Sequence, residues 1–464
     1  MSISFTGLAS GFNSADYIKA IMNKEKLPLT RLQTKKEITT AYQNVFKSIN
    51  TKLTTLKDAS IALSDLGSFQ LSKASSSDTT KLNAVAESTA VAGDYSVVVN
   101  TLAQKQVVAS KSFNATDIYS ASSPDAFPSS LSIGGVSVDI SGLSLDGKKM
   151  SEVLNAIATK INGTVGIRAQ ASVIQTSSGQ NALVLTAKEY GRANQFTFDS
   201  SSTWGFANKQ AADDASLVIN GIAVTSTTNT VKDAIPGVTL TLANTGSSTV
   251  KVEQDVDGIA SKVDTFVKAY NDIINTIKDN TQKSTKNKDG SLTLTLQGDP
   301  MLRSLRSQMG DMVNKIVGDT PGFKLLSDIG LEVDKGITSA SLMTGNITFD
   351  KTKFKEKMQE NPARVEKMFS GTAGIDGIAT LFKNSAKEWT DSVDGIITSK
   401  IKGYDSEISF LTEQIQSMSD RLDLREASLK QKYVNLEVVM SKLNSQKDWI
   451  TNQASILTKS LSQK

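Results

Sequence analysis

The chain has no cysteine and no histidine among its 464 residues. Without cysteine a disulfide scaffold is excluded, and the fold is indifferent to the redox state of its compartment. Without either residue, Ser–His–Asp and Cys–His nucleophiles cannot be activated and His/Cys zinc sites cannot be built. Only carboxylate, lysine or tyrosine chemistry is left, so neither an enzyme nor a cofactor is expected. No run of about 18 apolar residues occurs, so no membrane span is expected. The opening residues, Met1 to Gly7, lack the basic and apolar regions of a cleaved secretory signal. Charge of one sign is also missing: 51 Lys and Arg stand against 47 Asp and Glu. A net charge of +4 with both signs interspersed does not make the concentrated basic face that nucleic acid requires. Hydrophobic residues make up 39% of the chain, enough for a core, and the length suggests about three domains.

Proline and glycine are absent beyond Gly403, and there the strongest pattern in the chain appears. Stepping by seven from Ile401 reaches Ile408, Ile415, Leu422, Leu429, Leu436, Leu443, Ile450 and Leu457. The second seam row starts apolar (Tyr404, Leu411, Met418), turns polar (Arg425, Lys432), then shifts by one residue to Tyr433 and Met440. A strict seven-residue repeat keeps one seam facing a partner over many turns. At 1.5 Å per residue the helix would be about 85 Å long, and such a helix needs partners to be stable.

A second breaker-free stretch lies between Pro28 and Leu66. Tyr42, Ile49, Leu56 and Leu63 are spaced by seven, and Val45, Phe46 and Leu53 widen the same face. Pro28 suits a first helical turn and Gly67 suits a stop. Two surface helices of an ordinary domain are the plain alternative. The persistence of the register favours a stalk in which the first and last helices pack together. Before the stalk, Asn13 with Asp16 reads as a helix start, followed by a short amphipathic helix (Tyr17, Ile18, Ile21, Met22) broken at Leu27-Pro28.

The middle of the chain reads differently. Ser75 to Thr80 looks like a linker, and Ala121 to Ser130, with Pro124 and Pro128, like a second. Between and beyond them strands alternate, as at Tyr95, Val97 and Val99. An internal repeat stands out: Leu131–Val138 and Leu217–Val224 are each strand, two-residue turn, strand. Each is followed by helical spacing, at Val153, Leu154, Ile157 and Ile161 and at Val231, Ala234 and Ile235. Helix returns at Asp257, with Ile259, Val263, Phe266, Tyr270, Ile273 and Ile277 on one face. Asp299-Pro300 starts another helix, Leu325 to Asp350 reads as short strands, and Asp350 starts a helix expected to continue past Pro362. The expected fold is α+β: terminal helices form a coiled-coil or helix-bundle stalk, with two β-rich lobes inserted between them. Residues 1–34 with 441–464 are expected as mobile terminal legs, and 35–70 with 255–440 as the stalk bundle. Residues 71–120 with 212–254 would form the first lobe, and 121–211 the second.

Candidate chemistry is sparse. Asp255-Val256-Asp257-Gly258 has two carboxylates before a glycine but lacks the other ligands of a calcium loop and sits at a helix start, so a cap is expected. Gly134-Gly135 has neither the lysine nor the spacing of a phosphate loop. Charged residues on the long helices read as solvated faces. Function is therefore expected in assembly.

Particular blocks resemble the flagellar filament cap family of bacteria (FliD, also called hook-associated protein 2). They begin with Gly7-Leu8-Ala9-Ser10-Gly11-Phe12-Asn13, Glu25, Leu27-Pro28-Leu29 and Leu32. Gly93-Asp94-Tyr95 with Leu102-Ala103, Asn229-Thr230-Val231 with Ile235-Pro236-Gly237-Val238-Thr239-Leu240, and Phe266-Val267 with Ala269-Tyr270-Asn271 follow in order. Gly298-Asp299, Ile329-Gly330, Asp350 with Met368-Phe369, Arg421-Leu422, Glu426, Leu436-Glu437, Met440-Ser441, Leu443-Asn444-Ser445-Gln446 and Trp449 complete them. The resemblance covers nearly the whole chain and is weakest from about Ala121 to Ala211. Asn13 stands where the family more often has aspartate. The resemblance implies a homo-oligomeric plate on legs at the filament tip, a ring of a few subunits, about five. It would retain exported flagellin and help it fold and insert. Hook-filament junction proteins and an export chaperone are the other implied partners, with export through the flagellar type III channel. Another axial flagellar protein, or a surface adhesin binding mucin or host glycans through the lobes, remains open.

Two residue sets follow. Stalk packing is expected from Tyr42, Ile49, Leu56, Leu63, Ile408, Leu411, Ile415, Leu422, Leu429 and Leu436. Leg contacts with neighbours are expected from Leu8, Phe12, Ile18, Ile21, Met22, Leu443, Trp449, Ile450 and Leu457. Gln446 and Gln453 occupy seam positions that a subunit's own core would want apolar.

Overall fold

The computed structural model describes residues 13–461 apart from 66, 125, 200–202, 286–293, 318–321 and 373. Its helices are α1 (Ser14–Glu25), α2 (Leu27–Ser64), α3 (Met150–Asn162), α4 (Val256–Thr281), α5 (Pro300–Val313), α6 (Lys351–Glu360), α7 (Pro362–Ser370), α8 (Ile378–Thr390) and α9 (Ile396–Leu461). The chain divides into two compact units, Met1–Leu66 with Ala260–Lys464, and Gly67–Ile259.

In the first unit α2 buries a stripe at spacings of three and four: Phe46, Ile49, Leu53, Leu56, Ala59 and Leu63. The α1–α2 junction is a single residue, Lys26, because Pro28 is tolerated in the first turn of α2. The break therefore falls one residue before the expected Leu27-Pro28. The helices from the second half of the chain close the core. Phe382 of α8 receives Phe266 and Tyr270 of α4 edge-on, at 5.3 and 5.7 Å between ring centroids. Trp389 Nε1 donates to Gln308 Oε1 at 2.8 Å, tying α8 to α5.

Caps explain the helix starts. Asp299 accepts from the N–H groups of Met301 and Leu302, and Asp350 from that of Lys353. Asn361 caps α7 by accepting from Arg364 N–H, so the helix expected to run past Pro362 is two helices. The expected strands between Leu325 and Asp350 reduce to Leu331–Val333 paired with Ile347–Phe349.

The second unit holds β1 (Ser72–Ser76), β2 (Leu82–Ala86), β3 (Gly93–Thr101), β4 (Val107–Ala109), β5 (Phe113–Asn114), β6 (Ser130–Ile133), β7 (Val136–Asp139), β8 (Ala169–Ser177), β9 (Gln180–Ala187), β10 (Ala207–Gln210), β11 (Ala215–Ile219), β12 (Ile222–Ser226), β13 (Thr230–Ile235), β14 (Val238–Leu242) and β15 (Gly246–Gln254). An antiparallel sheet of order β1-β15-β3-β11-β12 and a smaller one, β13-β14-β2, share a core of Leu82, Val97, Leu217, Val231, Leu240 and Val250. A second core gathers α3 with β4, β8 and β9 around Trp204, which stacks on Phe127 at 4.1 Å and on Phe206 at 5.5 Å. Val108 and Tyr119, expected in the first lobe, pack in this second core.

Both repeats are hairpins. Gly134 and Gly135 have φ of 58° and 78°, and Asn220 and Gly221 have 50° and 84°. Positive φ at both central positions is the type I′ turn that matches strand twist. Two other expectations fail here. The linker at Ser75 starts as strand β1, whose polar side chains are no obstacle because its backbone pairs with β15 and Ser76 and Ser77 bond the Ser248 hydroxyl. The helical spacing at Val231, Ala234 and Ile235 is strand β13. Val231 and Ile235 both reach the core because residues four apart share one face of a strand as they do of a helix, and a bulge at Asp233, with φ of 57°, falls between them.

Ser72 pairs with Gln254 at the outer end of the β1–β15 ladder. A fragment from Ser72 to Gln254 thus keeps every ladder of this unit whole. Its expected behaviour is a cooperative thermal transition with strand-type circular dichroism; a spectrum without strand signal would reject the boundary.

Candidate functional site

The helix α9 is 66 residues long, about 99 Å, while α2 is 38 residues, about 57 Å. One helix outruns the other, so α9 must find different cover along its length. Near its start α2 supplies that cover. Phe46 lies 5.8 Å from Tyr404, and Gln43 Nε2 donates to the Ile401 carbonyl at 3.3 Å and to Asp405 Oδ1 at 2.5 Å. Lys35 pairs with Glu407 at 3.0 Å. Burial pushes the Tyr404 phenol above its ordinary range, reinforced by Asp299 and Glu407.

Further along, the partner changes. Leu422 and Leu429, expected against Tyr42, Ile49 and Leu56, are buried instead against Ile18 and Met22 of α1. Ile21, Leu29, Met418 and Tyr433 flank this contact, and Arg425 Nε meets Glu25 Oε1 at 3.1 Å. Ile49, Leu56 and Leu63 are fully buried in the body of the first unit, and Tyr42, half-buried, donates to the Thr295 carbonyl. The reason is length: α2 begins only at Leu27, and the short helix before it continues the antiparallel pairing. So Ile18, Ile21 and Met22, expected as contacts with neighbours, are placed on the chain's own seam.

Among the described residues the cover then stops. Leu411, Leu422 and Leu429 are buried, with Ile408 and Ile415 partly so. Leu436 is 48% exposed, Leu443 51%, Trp449 65% and Ile450 60%. Leu436 was expected in the stalk packing and is not there, because α1 begins at Ser14 and the groove it forms with α9, about 710 Å³, ends at Val434. Lys19, Lys26, Glu426 and Lys430 rim that groove. A hydrogen bond from Lys430, with Lys26 nearby, holds the Glu426 carboxyl below its usual range. Val438, Val439 and Ile456 add further exposed apolar surface. Leu8 and Phe12, and the side chain of Leu457, lie outside the described residues.

Sequence reasoning missed Gln43, the contact of Leu29 with the seam and the Glu25–Arg425 pair, while Met418 was read in the second seam row. A heptad shows that a stripe exists but not which helix it meets. The Asp255 carboxylate accepts from Gly258 N–H at 2.9 Å as a helix cap. Among the described residues no group of three or more acidic side chains could hold a metal, and no helix is long and apolar enough to cross a membrane.

Long terminal helices on one bundle, strand-rich insertions and an exposed apolar seam are features of an assembly protein. The family profiles described as the N-terminus and C-terminus of flagellar hook-associated protein 2 match residues 10–106 and 212–445. The chain belongs to this flagellar hook-associated protein 2 (FliD) family. It is 26% identical to "Flagellar hook-associated protein 2" of Escherichia coli strain K12, over 97% of this chain and 98% of the relative. Identity to the A-type protein of Pseudomonas aeruginosa is 25%, over 96% and 95%. The crystal structure of the flagellar cap protein FliD D1-D2-D3 domains from Escherichia coli superposes with a TM-score of 0.56 and 25% identity, covering 78% of this chain and 99% of that one.

Proposed function

We propose that the chain is a structural cap at the distal tip of a bacterial flagellar filament. It assembles as a homo-oligomer, retains exported flagellin and promotes its insertion beneath the cap. The carrying observation is the seam of α9, covered by the chain's own helices up to Leu429 and, among the described residues, exposed from Leu436 onward. An exposed apolar row on a long helix is unfavourable in water and marks a surface kept for a partner. A match over nearly the whole chain to a protein named for hook association, and one over 78% of it to a structure named for capping, favour this reading over a glycan-binding adhesin.

In this reading Leu436, Leu443, Trp449 and Ile450 are leg contacts, joined by Leu8, Phe12 and Leu457. The Ile18–Met22 face of α1 braces the leg where it leaves the body. The two cores of the second unit are two lobes, exchanging near residues 104–107 and 207–214. Export takes the flagellar type III route with a chaperone, and hook-filament junction proteins are the neighbours at the start of filament growth. Lack of disulfides suits passage of an unfolded chain through a narrow channel.

Electron microscopy of the purified full chain tests the class directly. The expected particle is a closed ring of a few subunits. Long filaments would instead assign the chain to the polymerising axial proteins and end the cap reading.

A further inference from the structure

An edge strand presents a row of unpaired N–H and C=O groups, and proteins block such rows with charge, bulges or cover. Nearly every edge here is blocked in one of these ways. Strands β1 and β10 carry Lys73 and Lys209, and β7 ends in Asp139. Strand β13 carries Lys232 and the Asp233 bulge. Strand β2 lies against β1, and β6 is covered by residues 197–199 through Gly134 N–H to Thr197 O and Asp199 N–H to Ser132 O. On β8 the Asn162 side chain acts as a plug, accepting from Ala171 N–H and donating to Ala171 O, both at 2.8 Å. In the first unit Asn271 plugs Ile347 in the same way.

Strand β12 has none of these devices. Its five residues, Ile222-Ala223-Val224-Thr225-Ser226, hold no charge and no proline, and its register with β11 runs without a bulge. It forms the outer edge of the five-stranded sheet, and Ile222 is 69% exposed. The two-residue turn at Asn220-Gly221 makes Ile219–Ile222 and Leu217–Val224 hydrogen-bonded pairs. The N–H and C=O of Ala223 and Thr225 therefore point outward.

We propose that β12 is a docking edge for a second copy of this chain, paired antiparallel about a two-fold axis through Val224. In that register Ala223 of each copy lies opposite Thr225 of the other, and the two outward-facing residues exchange both backbone hydrogen bonds. Ile222 lies opposite Ser226, and no like charges meet across the pair. Self-pairing of β1, β10 or β13 would instead crowd lysines together. The two-fold antiparallel register places the Ser226 end of one β12 beside the neutral Gly221 end of the other, while Asp213 and Asp214 stay one strand further in, bonded by Arg192. The contact doubles whatever the remaining surfaces assemble, and it does not depend on the capping function.

The test is sedimentation of the full chain at high concentration, with T225P and T225K. Proline at 225 removes the outward N–H but leaves the β11–β12 ladder intact, since that N–H faces away from β11. Lysine keeps the backbone and adds the missing charge. Both variants are expected to halve the sedimenting mass with unchanged circular dichroism. Equal mass for the original chain and T225K, with its fold unchanged, would overturn the proposal.

Discussion

Cells that carry only a form lacking Asn444–Lys464 are expected to secrete unpolymerised flagellin and grow no normal filament. The purified truncated chain should nevertheless unfold at almost the same temperature as the full one. Among the described residues of the removed segment Trp449, Ile450 and Ile456 are exposed, and the buried seam residues Leu422 and Leu429 are retained. Losing exposed apolar side chains from a free helix end changes stability little. The loss of function would therefore come from the missing leg surface. Normal filament growth from the truncated protein would remove the leg from the account.

Replacing Leu422 by alanine is expected to act in the opposite way, on stability first. Leu422 is 6% exposed and packs against Ile18 and Met22. Deleting its branched end leaves a cavity that two rigid helices fill only in part, and buried Leu→Ala changes cost about 2–5 kcal/mol. The loss should appear as fast amide exchange over α1, while the α4–α8 contact around Phe382 keeps its protection. Unchanged exchange of α1 would mean that this helix does not rest on α9.

The two expectations differ because one seam has two environments, and that difference was only half visible in the sequence. The row from Ile401 to Leu457 announces one long helix, and α9 runs from Ile396 to Leu461 with that row buried at Leu422 and Leu429 and exposed at Leu436, Leu443 and Ile450. What a heptad cannot announce is where its cover ends, since that depends on the length of another helix. Leu436 has the same chemistry as Leu429 and differs only in lying beyond the reach of α1. Local turn chemistry was easier to read: Gly134-Gly135 and Asn220-Gly221 make their hairpins because positive φ suits these residues. Strand β13 was harder, because the four-residue spacing of Val231 and Ile235 fits one face of a strand as well as one face of a helix. Strand β1 was hidden by its Ser-rich composition, since its stability comes from backbone pairing with β15 and not from apolar alternation.

The exposed end of α9 is the centre of the account, and the cysteine-free chain allows it to be probed at single sites. Variants W449C and L443C, labelled with a thiol-directed photocrosslinker and assembled on growing filaments, would report what the bare seam touches. The account predicts flagellin adducts from both positions. Capped filaments that yield no adduct from either position would contradict it.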